Sequence, residues 1–187
     1  LVFVDATKGW IVTDDGNQSS TPTVLYVAAT GGTPTTSPCG DFKIHTFTGP
    51  GTFCVSNAGN ACGSNSVEYL VVAGGGGTDS GVSSGGGAGG FRTFTALSPT
   101  SPLNGPGALP VSVQGYTITV GGGGTAGPQP GCGSNGSVTT FSTITSTGGG
   151  VGQKSNQVGT PGGSGSGGLG SPSWPGTGYA GGTGNTP

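Results

Sequence analysis

Few residues in this sequence could do chemistry, and their surroundings limit what chemistry is available. His45 is the single imidazole. It sits between Ile44 and Thr46 in an alternating run, where a histidine packs or faces solvent. A Ser-His-Asp set could be drawn from the residues present, but no G-x-S-x-G elbow occurs at a strand-to-helix turn to present the nucleophile. The carboxylates are Asp5, Asp14, Asp15, Asp41, Glu68 and Asp79. Only Asp14 and Asp15 adjoin, in "TDDGN", where turn formation accounts for them as well as cation contact does. "GGGGTDSG" and "GGGGTAGPQPG" have the glycine density of a phosphate loop. No G-K-[ST] follows either, and no helix supplies the N-terminus that would hold an anion. No catalytic residue, metal site or cofactor is expected, and the chain does not read as an enzyme.

Cys39, Cys54, Cys62 and Cys132 lack the paired C-x2–4-C spacing of a zinc site. Disulfides suit them better and imply a life outside a reducing cytosol. "CVSNAGNAC" encloses a short polar loop, which favours Cys54–Cys62 and leaves Cys39–Cys132 by elimination. Four free, buried thiols are the alternative.

Charge excludes further classes. Net charge is −2 and the basic residues are Lys8, Lys43, Arg92 and Lys154. Dispersed cations of this number cannot neutralise a phosphate backbone, so nucleic acid is not an expected partner. No apolar run approaches the ~20 residues of a helical membrane span, and membrane insertion is not expected. "LVFVDATKGW" has no basic region followed by an apolar stretch, as a signal peptide would, and no initiating Met. The chain therefore reads as a piece of something longer.

The elements that must position these residues are strands. There are 46 glycines and 14 prolines among 187 residues, a share that without a strict triplet period usually signals low complexity. Charged residues, however, are only 5%, and apolar residues gather in short β-type clusters instead of scattering as in disordered chains. No window shows helical periodicity. "LVFVD" and "GWIVTD" read as a first hairpin, "TVLYVAAT" follows, and "DFKIHTFT" and "TFCVSN" read as a second hairpin around "GPG". "VEYLVVA", "GGFRTFTAL", "LPVSVQGYTITV" and "VTTFSTITS" complete the set. In "DFKIHTFT", Phe42 and Ile44 share a face opposite Lys43, His45 and Phe47. In "YTITV", Tyr116, Ile118 and Val120 share one. "EYLVVA" is continuously apolar and reads as a central strand covered on both sides. The expected fold is all-β, an antiparallel, jelly-roll-like β-sandwich with glycine-rich loops. Composition shifts divide the chain into a small β segment (1–36), a glycine-rich β domain (37–150) and a Gly/Ser/Pro-rich tail (151–187).

Three strands run directly into glycine: "VEYLVVAGGGG", "YTITVGGGG" and "FSTITSTGGG". "VEYLVVA" is expected to pair antiparallel with "FRTFTAL", and "YTITV" with "TFSTITS"; if "VEYLVVA" and "YTITV" run the same way, the first two tracts emerge at one end of the strand unit. The third emerges at the opposite end unless the last strand reverses. Such tracts can pack side by side in a threefold, polyproline-II-like conformation, polyglycine II, because without Cβ atoms their backbones approach and bond. Ordering them costs ~1–2 kcal/mol per residue, so mutual packing or a partner is needed; flexible loops are the other reading. Phe91, Phe94, Tyr116, Trp174 and Tyr179 are the aromatic candidates for receptor contact or for pinning the tracts.

The ordered string "DFKIHTFTGPGTFCVSN…YLVVAGGGG", "GGGAGGFRTFTAL", "YTITVGGGG" and "ITSTGGGVG" resembles the glycine-rich domain of tailed-bacteriophage structural proteins. The resemblance covers about residues 41–151. It implies a virion structural protein assembled in the host cytoplasm, most readily a tail-fibre module that contacts the host envelope without covalent chemistry. Its implied partners are other virion proteins, further copies of itself in a homo-oligomer (a trimer by analogy) and a host surface protein or glycan. The alternatives are a purely structural capsid fibre, decoration or shaft module, and a bacterial surface filament or adhesin subunit. The separable β unit and interrupted tracts depart from the phage adhesins that stack glycine helices, and no catalytic residue carries over.

Overall fold

Short β-branched and aromatic runs, cut by glycine and proline before a helix could nucleate, give strands throughout. The computed structural model describes residues 2–5, 9–11, 23–81, 83–96, 105, 107–128, 131–153 and 159–167. In chain order the strands are β1 (Val2–Asp5), β2 (Gly9–Ile11), β3 (Val27–Thr30), β4 (Thr33–Thr36), β5 (Lys43–Thr46), β6 (Gly51–Ala58), β7 (Ser66–Val67), β8 (Tyr69–Val72), β9 (Phe91–Phe94), β10 (Leu109–Pro110), β11 (Gly115–Thr119), β12 (Thr139–Phe141) and β13 (Ile144–Ser146). No helix occurs among the described residues, and every strand pair is antiparallel. The fold is all-β, as expected.

The centre is a five-stranded sheet in the order β13-β12-β11-β6-β3. Alternation fixes which side it buries. Phe53 and Val55 on β6, with Tyr116 and Ile118 on β11, face the core, while Thr52, Cys54, Thr117 and Thr119 face out. Val27, Ala29, Phe47, Val67, Val120 and Phe141 pack against that cluster. The rings meet edge-on: Phe53 to Phe141 at 5.9 Å and Tyr116 to Phe141 at 6.2 Å between centroids.

Four two-stranded sheets complete the set: β1-β2, β4-β5, β7-β10 and β8-β9. The first hairpin is therefore present, but the second is not as expected. β5 pairs with β4, whereas β6 pairs with β3 and β11. Gly31 and Gly32, at φ +110° and +59°, turn the chain from β3 into β4. The inward face of β5 also differs. Phe42 and Ile44 are exposed, while His45 stacks edge-on against Phe53 at 5.2 Å and its Nδ1 donates to the Gly31 carbonyl at 2.8 Å. The imidazole is thus a packing residue.

β8 is not a central strand. It pairs only with β9, and one face of that ribbon meets β12 and β13. Val71 is buried on the packed side, while Leu70 and Val72 on the other are 62% and 50% exposed. "VTTFSTITS" is likewise a hairpin and not one strand. β12 and β13 flank a two-residue turn, Ser142–Thr143, with Ser142 at φ 54°.

Candidate interaction surface of the glycine lattice

That turn decides the direction of the third glycine tract. Because β13 reverses on β12, residues after β13 leave the strand unit in the same sense as those after β8 and β11. Five straight segments can be followed among the described residues: segment 1 (73–80), segment 2 (84–90), segment 3 (121–127), segment 4 (131–138) and segment 5 (147–153). Segment 1 is bonded to all of the others with a period of three residues. Ala73 and Gly76 donate N–H to Gly90 and Gly87 of segment 2, at 2.9 and 2.8 Å. Gly74 and Gly77 donate to Ser137 and Ser134 of segment 4, at 3.1 and 2.9 Å. The carbonyls of Gly74 and Gly77 accept from Gly149 and Gly152 of segment 5, both at 2.9 Å. Those of Gly75 and Thr78 accept from Gly124 and Gly127 of segment 3, both at 2.8 Å.

A β ladder alternates every two residues, whereas a repeat of three with partners in several directions is the geometry of packed threefold helices. The expected polyglycine-II packing is therefore present. Residue numbers along the bonds give the directions: segments 1, 3 and 5 run parallel, and segments 2 and 4 run against them. Residues 159–167 fold back on themselves, with Ser166 N–H bonded to Thr160 O at 3.1 Å, and lie against segments 2 and 5. The lattice thus takes residues from both sides of position 150, where the sequence suggested a boundary.

Glycine is required here by space. A Cβ on Gly74 would fall well inside 3.0 Å of the Gly122 carbonyl, one on Gly76 of Gly150, and one on Gly77 of Thr125. Three of the four residues from Gly74 to Gly77 thus meet backbone, at Gly122 and Thr125 of segment 3 and Gly150 of segment 5, and the hydrogen in place of Cβ is what fits. At the end away from the strands, side chains take over the bonding. Asn135 Oδ1 accepts from Val151 N–H at 2.8 Å, Ser84 Oγ from Gln153 N–H at 2.9 Å and Ser134 Oγ from Thr125 N–H at 2.9 Å.

The chain belongs to the glycine-rich domain family. The model of that family, described as a glycine-rich domain, matches residues 46–186. No curated protein and no solved structure matches the chain.

Within the glycine-rich domain, parallel segments 1, 3 and 5 all run away from the strand unit, so that Ser80, Gly127 and Gln153 lie toward the same end. The aromatic candidates scatter around this frame. Phe91 is 43% exposed on the open face of β8–β9, beside Leu70 and Val72. Phe94 lies on the packed face, its ring tilted 33° against Tyr69 at 6.5 Å. Tyr116 is a core residue at 9% exposure, and its hydroxyl accepts from Ser112 N–H at 2.8 Å. Hydrogen bonds from Gln114 and then Ser112 hold that phenol below its ordinary pKa. Trp174 and Tyr179 lie outside the described residues. Among the described residues, Phe91, Phe94 and Tyr116 do not form one patch.

The cysteines are not brought together as disulfides. Cys39, Cys54, Cys62 and Cys132 are all free and exposed. Cys54 points outward from β6 opposite Thr30 and Gly115, and Cys62 sits in the following turn, whose amides are held by Asn60 Oδ1. Outward alternation on β6, which buries Phe53 and Val55, turns Cys54 to solvent.

Proposed function

We propose that this glycine-rich domain is a structural module of a bacteriophage virion, part of a tail fibre, which contacts the host envelope non-covalently through the loop end of its lattice. The observation that carries the reading is the parallel course of segments 1, 3 and 5. It brings the far ends of three segments, near Ser80, Gly127 and Gln153, to one end of a close-packed backbone lattice and leaves the strand unit at the other. Such a lattice is a stiff spacer, because each segment is bonded to its neighbours every third residue, and rigid scaffolds that present loops are how binding surfaces are commonly built. The resemblance of the ordered motif string to the glycine-rich domain of tailed-phage structural proteins is what suggests the virion setting. On this reading the partners are further copies of the chain, other virion proteins and a host surface protein or glycan.

A second reading, a shaft, capsid-fibre or filament module without host contact, is favoured by Leu70, Val72 and Phe91. These apolar side chains stand open on one face of a two-stranded ribbon, as they would where a neighbouring subunit covers them. Deleting the 81–83 connection in the particle separates the readings. Host contact predicts lost adsorption with assembly and melting temperature retained. Unchanged adsorption sinks the host-contact reading, and failed assembly favours the structural one. Gold-labelled antibody on source particles checks the setting, with label expected at distal fibres.

A further inference from the structure

A threefold helix points its amides three ways, and segment 1 uses two of them inside the lattice. Ala73 and Gly76 donate to segment 2, and Gly74 and Gly77 donate to segment 4. The amides of the third register, Gly75 and Thr78, have no acceptor among the described residues, although the carbonyls of both accept from segment 3. Gly75 is half-buried and Thr78 is exposed. The walls around segment 1 explain the gap. Segment 2 is bonded to segment 5 (Gly87 N–H to Gly150 O, 2.7 Å), segment 5 to segment 4 (Gly136 N–H to Gly149 O, 2.9 Å) and segment 4 to segment 3 (Ser137 N–H to Gly122 O, 2.9 Å). Among the described residues no hydrogen bond closes the ring between segments 3 and 2, so segment 1 is open on that side.

The same side is apolar where the lattice meets the strands. Segment 1 continues β8 and segment 2 runs into β9, whereas segments 4 and 5 adjoin β12 and β13. The β8–β9 ribbon lays its Val71 face on β12 and β13, and segments 1 and 2 lie on segment 5 in the same way. The ribbon's other face, with Leu70 and Val72 beside Phe91, is exposed. Open ribbon face and open lattice side therefore form one surface. Segment 3 borders it with Gly123 and Ala126, which are exposed and whose backbone groups make no hydrogen bond among the described residues. None of these side chains is charged. Glu68, the charge next along β8, lies at the ribbon's far end, where its Oε1 accepts the Ala96 N–H at 2.8 Å. Like-charge repulsion thus does not oppose the approach of an identical surface.

We propose that a second copy of the chain docks here, its own open side laid against segment 1 and β8–β9 so that the two lattices join. The chemistry selects this occupant. The open amides at positions 75 and 78 recur every three residues, about 9.3 Å along a threefold helix. A β-strand, which repeats every two residues, cannot meet them in register, whereas another glycine lattice presents carbonyls at that spacing. Leu70, Val72 and Phe91 cover themselves when the same patch returns across a twofold axis. Main-chain bonds add adhesion, as when a segment joins a sheet edge. The inference rests on the reading above that further copies are partners, and it gives that contact its residues.

Sedimentation of the full chain over about 1–100 μM, where pairs of modest affinity dissociate, is the test. Wild type should pass from monomer to dimer. A Cβ on Gly123 or Gly75 lies 3.7 Å from its nearest neighbour, and no positive φ stands in the way. Gly123→Gln and Gly75→Gln should therefore keep the melting temperature of the dilute monomer while weakening association by about tenfold or more. Amide exchange read by NMR should show Gly75 and Thr78 protected in the dimer and open in the monomer. A wild type that stays monomeric overturns the proposal, as do variants that dimerise like wild type. So does equal protection of the two amides in the monomer, which would mean that the chain's own remaining residues cover them. The wild-type series and its exchange decide even if a variant does not fold. Association in solution is read apart from adsorption, so this proposal and the host-contact reading fail separately.

Discussion

Gly76 and Gly150 pack so closely that a Cβ on Gly76 would lie well inside 3.0 Å of the Gly150 carbonyl oxygen. One of these residues follows β8 and the other follows β13. Their contact joins the two parallel segments that carry most of the lattice. Through Gly150 the relationship extends further, since its carbonyl accepts the Gly87 N–H at 2.7 Å. A side chain at position 76 would therefore press on a hydrogen bond between two other segments.

Gly76→Ala should destabilise the fold by about 1–3 kcal/mol, the usual cost of forcing atoms into a filled site. Gly122 is the control. A Cβ there meets nothing within 4 Å and no positive φ stands in the way. Gly122→Ala should be neutral or gain about 0.4–1 kcal/mol by restricting the unfolded chain. Urea titrations of the two variants check the pair, and equal midpoints would show that the lattice is not packed this way.

How much of this was legible in the sequence differs by element. The β8–β9 and β11–β12 pairs and the inward face of Tyr116, Ile118 and Val120 followed from alternation and from glycine punctuation. The lattice followed from the absence of Cβ atoms over three tracts. β4 was hidden because "TPTT" reads as linker. Pro34 is tolerated there because β4 has one partner strand, and an edge strand can lack an N–H on its free side. The face of β5 was misjudged because Phe42 and Ile44 are more apolar than His45, but the Gly31 carbonyl and the Phe53 ring reward the imidazole inside. The burial of Asp79 left no signal: one aspartate among glycines looks like a loop residue until the fold buries it.

The β12–β13 turn has no Asn-Gly or Gly-Gly signal, yet Ser142 adopts φ 54°. A non-glycine residue there carries a strain of about 1–2 kcal/mol. Ser142→Gly should recover part of it, raising stability by roughly 0.5–1 kcal/mol after the entropy cost of glycine. Ser142→Val should lower stability by more than that gain. The order Gly, Ser, Val in thermal melts is the expected outcome, and an inverted order would contradict the turn.

Tyr116 contributes a hydroxyl as well as a ring to the core. Ser112 N–H has that oxygen as its acceptor at 2.8 Å, and Ser112 Oγ lies 3.3 Å from it. Tyr116→Phe keeps the packing against Phe141 but removes the acceptor of the Ser112 N–H, which belongs to an exposed residue, at a cost of about 0.5–1.5 kcal/mol. Amide exchange at Ser112 should accelerate more than at Ile118, whose N–H stays in the sheet. Equal acceleration at both would mean that the whole sheet had loosened.

Cys39 is the thiol whose chemistry the structure singles out. It sits in the "SPCGD" turn, closed by Gly40 N–H to Ser37 O at 2.9 Å and Phe42 N–H to Ser37 Oγ at 3.0 Å. The Ser37 hydroxyl, 3.2 Å from Sγ, and then the Asp41 backbone hold the Cys39 pKa below the ordinary thiol value. A lowered pKa means more thiolate at a given pH, and the thiolate is the nucleophile. In native protein, iodoacetamide should therefore label all four exposed thiols. The rate at Cys39 should begin to rise at lower pH than for a cysteine in an unstructured peptide. Ser37→Ala removes the main cause, so its Cys39 profile should move to higher pH while labelling at Cys54 and Cys62 is unchanged. Site-resolved mass spectrometry across pH reads all of these at once. A Cys39 profile that does not move in the variant would show that the turn, and not the hydroxyl, sets its reactivity.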